Sequence, residues 1–148
     1  MDLSRLSGRT VVYAYPRTSA PDAAPIDGWD MIPGAKGCTP QSCAFRDHHA
    51  ELIGAGASAV FGLSTQTTDY QAEMVARLHL PFPILSDVDL MLQSALNLPT
   101  FEAGGMILLQ RLTLLISAGR IEHVFFPVTT PAQNAEDVLA WLVDNPTA

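Results

Sequence analysis

Apolar and polar positions alternate along this chain between two periods. Residues 10–16 (TVVYAYP) are β-branched and aromatic, too short for a helix and closed by proline. They predict a strand, central in its sheet. Residues 17–37 follow as a proline- and glycine-rich stretch that predicts a long irregular loop, of the kind that usually carries function. From Thr39 the pattern turns helical and runs to about Ile53, where GAGA stops it. Residues 59–65 (AVFGLST) predict a second buried strand. Residues 67–80 predict an amphipathic helix with Tyr70, Met74, Val75 and Leu78 on one face. A short strand over 82–87 and a short helix over 90–98 come next. The apolar runs 105–110 and 111–117 predict one strand or a bent pair, and AGR at 118–120 turns the chain back into 121–128 as a hairpin. The last segment, 130–143, reads as a helix with Thr130 as N-cap, Pro131 at the first helical position and Gln133 completing a capping box.

Strands alternating with helices, then a hairpin and a final helix, predict an α/β sandwich with a mixed sheet. The two early strands, joined by a helix, are expected to be parallel and the late hairpin antiparallel. At 148 residues and 48% hydrophobic, one compact domain with a sizeable core is expected. No apolar run reaches the length of a transmembrane helix, and the polar first residues lack the apolar core of a signal peptide. The expectation is therefore a cytoplasmic protein, where cysteines stay reduced unless redox chemistry is their task. A net charge of −7 argues against a nucleic-acid partner and against anionic membranes.

The candidate chemistry lies in residues 36–49, KGCTPQSCAFRDHH, which hold both cysteines. Residues five apart on a regular helix are separated by about 140° and about 7.5 Å along the axis. Their Cα atoms then lie roughly 8–9 Å apart, beyond the about 7 Å reach of a disulfide. Cys38 and Cys43 cannot bond within one helix unless its first turn unwinds. Pro40 disfavours helical geometry at Thr39, and an alternative start with Thr39 as N-cap would bring the thiols together. The pair thus reads as a switch between two nearly balanced states. A thiol at a helix N-terminus meets the positive end of the macrodipole and unpaired N–H groups, so Cys38 is the better nucleophile. Cys43, flanked by Ser42 and Ala44, is the better second thiol, an arrangement suited to passage through sulfenic acid to disulfide. Two rival readings remain at this point. Cys38, Cys43, His48 and His49 offer four zinc ligands, although structural zinc sites space their cysteines more closely. Two inert core thiols are the other.

The same segment resembles the GCTxQxCxFRD active-site motif of the Q-type peroxiredoxins, also called bacterioferritin-comigratory proteins. Residues 60–87, which end in LPFPILSD, and 111–125, RLTLLISAGRIEHVF, are similar to further segments of that family. The likeness covers essentially all of 6–141. It implies a thioredoxin fold and a hydroperoxide substrate. Cys38 matches the peroxidatic cysteine, Cys43 the resolving cysteine of the intramolecular type, and Arg111 the arginine beside the thiolate. An arginine between two apolar strands is itself costly unless it serves a nearby anion. The resemblance implies no metal or organic cofactor, a thioredoxin-like dithiol protein as reductant, and a monomer or homodimer. Two departures stand out. The family places a proline seven residues and a threonine or serine three residues before the reactive cysteine, where this chain has Met31 and Ala35. Pro16 then takes the strand-end role, 17–37 reads as an insertion, and Thr18 is the candidate replacement hydroxyl. The family's N-terminal hairpin is expected to be absent. A thiol–disulfide exchange protein and a non-enzymatic redox sensor on the same fold are the alternatives to a peroxidase.

Overall fold

The computed structural model describes residues 3–18, 28–31, 35 and 37–146. Most of the expected insertion at 17–37 thus lies outside the described residues. The first strand, β1 (Arg9–Ala14), is buried along its whole length, as its β-branched and aromatic run requires. It pairs in parallel with β2 (Ala57–Ser64), with Val12 opposite Phe61, and antiparallel with β6 (Leu112–Ser117), with Val12 opposite Leu114. β3 (Ile84–Ser86) adds in parallel outside β2, and β7 (Arg120–Phe125) antiparallel outside β6. The order β3-β2-β1-β6-β7 is the expected mixed sheet with β1 at its centre.

Alternate residues of β1 feed two cores. Val11 and Tyr13 join Phe45, Leu52, Met74, Leu115, Val138 and Leu142 on the face covered by α1 (Cys38–Asp47), α2 (His49–Gly54), α3 (Thr68–Leu78) and α5 (Asn134–Asp144). Val12 and Ala14 join Phe61, Leu63, Leu109 and Leu114 on the other face, with α4 (Met91–Leu96) packed against them. This is the two-faced α/β architecture of the thioredoxin fold.

Several boundaries differ from the sequence expectation. The early helix begins at Cys38 and is interrupted at His48, giving α1 and α2 in place of one helix to Ile53. No residue of the run signals that break. At the break, His48 Nε2 lies 3.5 Å from Glu136 Oε1 on α5. The runs 105–110 and 111–117 are neither one strand nor a bent pair in a single sheet. β5 (Met106–Leu109) pairs with β4 (Thr100–Ala103) as a separate hairpin through Gly104 and Gly105, both at positive φ. A Gly-Gly pair is suited to such a two-residue turn, and β4 was not anticipated. The capping box at the last helix does not form. Thr130 makes no side-chain cap bond, residues Pro131–Gln133 form a 3₁₀ turn, and Gln133 donates instead to Glu136 Oε2 at 2.6 Å. Pro131 lies directly against Gly37. Among the described residues, no helix is long and apolar enough to cross a membrane.

Candidate active site

The site is built where α1 starts. Gly37 is the residue before the helix, with φ of 108°, a region that L side chains avoid. A Cβ there would also lie 2.6 Å from Cγ of Pro131, so glycine is required twice over. The first intrahelical bond runs from Gln41 N–H to Gly37 O, at 2.9 Å. Gly37, not Thr39, is therefore the N-cap, Cys38 is the first helical residue and Pro40 the third. Pro40 costs the helix no bond, because an N–H at that position has no intrahelical acceptor. Thr39, however, is held helical directly before a proline, which its sterics disfavour.

Cys38 is 5% exposed and Cys43 half-buried, both as free thiols on one helix. Arg111, just before β6, is 3% exposed and does not face solvent from an edge strand. Its Nη2 donates to Cys38 Sγ at 3.2 Å and to the carbonyl oxygen of Ala35 at 3.1 Å. The Cys38 thiol faces the same carbonyl at 3.7 Å. A cation therefore lies against the sulfur at the positive end of a helix, and both favour negative charge there. Ala35, three residues before Cys38, contributes its carbonyl to the site and no hydroxyl; Met31, seven before, is 85% exposed.

Arg111 is held from behind. Its Nη1 donates to Gln41 Oε1 at 2.6 Å; Gln41 Nε2 donates to Asn134 Oδ1 at 3.0 Å; and the Thr113 hydroxyl donates to the same oxygen at 2.6 Å. All three of these polar side chains are buried. Reading the sequence assigned no role to any of them. Gln41 carried a signal, because positions 38 and 41 share a helix face. Asn134 and Thr113 carried none, being brought in from α5 and β6.

Beneath α1 lies an aromatic floor. The ring of Tyr13 stacks on Phe45 at 4.4 Å and 4° and meets Phe82 edge-on at 5.7 Å. Its hydroxyl donates to Ser42 Oγ at 3.0 Å. Burial drives the phenol of Tyr13 well above its ordinary value, against the opposing effect of the Ser42 bond. Burial raises Tyr15 as well.

Thr18 lies buried at the end of this wall. Its hydroxyl donates to Met74 Sδ at 3.4 Å, beside the Tyr15 hydroxyl on the same sulfur, and its backbone is gripped by Gln66 through two hydrogen bonds. Thr18 is thus anchored to α3 in this state of the site. The histidines diverge. His48 Nδ1 lies 3.0 Å from Glu51, while the ring of His49 lies 5.9 Å from that of Phe82. Among the described residues, no three His, Cys, Asp or Glu side chains are gathered to hold a metal ion.

Comparison with known proteins agrees with this picture. The family model described as Redoxin matches residues 1–139. Peroxiredoxin Bcp of Escherichia coli K12 is 30% identical over 141 residues, covering 93% of this chain and 80% of its own. The crystal structure of peroxidoxin BcpB from Mycobacterium tuberculosis superposes with a TM-score of 0.75 at 22% identity, over 98% of this chain and 84% of that one. Peroxiredoxin Q of Xanthomonas campestris superposes with a TM-score of 0.74 at 24% identity, over 97% and 82%.

Proposed function

Since the chain belongs to the Redoxin family, and within it to the Q-type peroxiredoxins, we propose that it reduces hydroperoxides through Cys38, with Cys43 as the second thiol. The observation that carries this reading is the guanidinium of Arg111 at 3.2 Å from a cysteine sulfur at a helix N-terminus. The Cys38 thiolate attacks the terminal oxygen of the hydroperoxide. A sulfur–oxygen bond forms, the oxygen–oxygen bond breaks, and the leaving alkoxide takes up a proton to depart as alcohol or water. Arg111 and the N–H groups at the start of α1 stabilise the charge that moves from sulfur to oxygen. The first turn of α1 then unwinds. Cys43 attacks the sulfenic sulfur, water leaves, and a disulfide closes between the two cysteines. An external dithiol protein of the thioredoxin type restores both thiols by exchange.

Stopped-flow consumption of peroxide tests the scheme, with Cys38→Ser and Cys43→Ser alongside. Cys38→Ser abolishes reduction; full activity in that variant overturns the assignment. One equivalent of peroxide removes both free thiols of a monomer, whereas Cys43→Ser stops at sulfenic acid. Ala35, which supplies no hydroxyl, supports a second reading as a redox sensor. A wild-type rate no greater than that of free cysteine decides for the sensor.

A further inference from the structure

We propose that Asn134, seated by Thr113, is a positioning residue that fixes the amide of Gln41 in one orientation and so turns the guanidinium of Arg111 onto Cys38. The inference rests on the role proposed above for Cys38 and Arg111. Its basis is donor and acceptor logic inside a buried cluster.

Arginine has only donors, so the atom of Gln41 at 2.6 Å from Nη1 is its oxygen. Gln41 must then present its NH₂ group to Asn134, which must answer with oxygen, at 3.0 Å. The Thr113 hydroxyl donates to that same oxygen at 2.6 Å and holds Asn134 in place, while its orientation is set from the Arg111 end through Gln41. Turning Gln41 over would set donor against donor at Arg111 and acceptor against acceptor at Asn134. Turning Asn134 over would set its NH₂ against that of Gln41. The chain from Thr113 through Asn134 and Gln41 to Arg111 is therefore consistent in one sense only. With Nη1 held by Gln41, the planar guanidinium directs Nη2 to the sulfur and to the Ala35 carbonyl. The four members come from β6 and the residue just before it, from α1 and from the first residue of α5, and Gln41 and Thr113 are 0% exposed. These side chains are shut off from bulk solvent, so a lost partner at Asn134 is felt by Gln41 and through it by Arg111.

The test compares Asn134→Leu and Thr113→Val with the conservative Thr113→Ser, and uses Leu142→Ala, a core change on the same helix, as the stability control. Two readouts are taken: the second-order rate of sulfenic acid formation with hydrogen peroxide, and the pH profile of Cys38 alkylation by iodoacetamide in a Cys43→Ser background. Misplacing a reacting geometry by about 1 Å costs on the order of 10²-fold. Asn134→Leu is expected to lose about that much peroxide rate and to move the alkylation profile to higher pH, with Thr113→Val changing both in the same direction by less. Thr113→Ser, which keeps the hydroxyl, recovers most of the Thr113→Val loss. Leu142→Ala lowers stability and leaves the profile in place. If Asn134→Leu, or Thr113→Val should the first not fold, keeps both the wild-type rate and the wild-type profile, the proposal is overturned. If the wild type proves inert to peroxide while the alkylation profile still moves, positioning stands and the peroxidase reading falls.

Discussion

Removing one oxygen atom should accelerate disulfide closure. The Tyr13 hydroxyl donates to Ser42 Oγ at 3.0 Å, with both residues fully buried, and Ser42 lies on the turn of α1 that carries Cys43. This bond exists only while the first turns of α1 are wound. Tyr13→Phe keeps the ring, and with it the stack on Phe45 at 4.4 Å, so the aromatic floor survives. A buried hydrogen bond of this kind contributes about 0.5–1.5 kcal/mol net. The loss falls on the closed state alone, since Ser42 in the unwound state finds water. Opening becomes easier by about 1 kcal/mol, or about fivefold in its equilibrium constant. If opening precedes closure as a rapid equilibrium, the closure rate rises by the same factor. The assay mixes reduced protein with one equivalent of hydrogen peroxide, quenches with an alkylating reagent at set times, and counts sulfenic acid, disulfide and free thiol by mass. Sulfenic acid formation should keep its rate while disulfide appears about five times faster. An unchanged or slower closure rate in Tyr13→Phe would refute the assignment of this bond as the latch.

Three further outcomes are expected. Gly37→Ala forces a side chain into φ of 108° and against Pro131 at 2.6 Å, and should cost about 1–2 kcal/mol or more in chemical denaturation, with lowered peroxide turnover. Pro40→Ala removes the steric push on Thr39, stabilises the wound turn and should slow disulfide closure at unchanged peroxide affinity, read by the same quenched-flow assay. Tyr13 and Tyr15 both ionise less readily folded than unfolded. Above about pH 10 the unfolded chain loses protons that the native state keeps, so stability falls as pH rises, by up to about 2.7 kcal/mol per pH unit for two such groups, and is unaffected by them below that pH. Tyrosinate absorbance followed against circular dichroism should show two of the three tyrosines titrating only with unfolding.

Local pattern determined much of this protein. The β-branched run of β1, the amphipathic α3 and the hairpin of β6 and β7 are each legible because burial on one or two faces imposes a period on a short stretch of chain. The cysteine segment was legible for a similar reason: a glycine, two thiols and a proline at fixed spacing describe the start of a helix without reference to anything distant. Arg111 stood out as a charge between apolar strands. What tertiary structure decided are the contacts that cross the chain. The break at His48 lies against α5, Pro131 rests on Gly37 where a capping box was expected, and β4 exists through its pairing with β5. Around the sulfur, Gln41, Asn134 and Thr113 acquire meaning only when three elements converge, since a hydrogen bond between residues 93 positions apart leaves no period in the sequence. The thiols and the guanidinium were visible as residues. The 3.2 Å between them, and the buried relay that maintains it, belong to the fold.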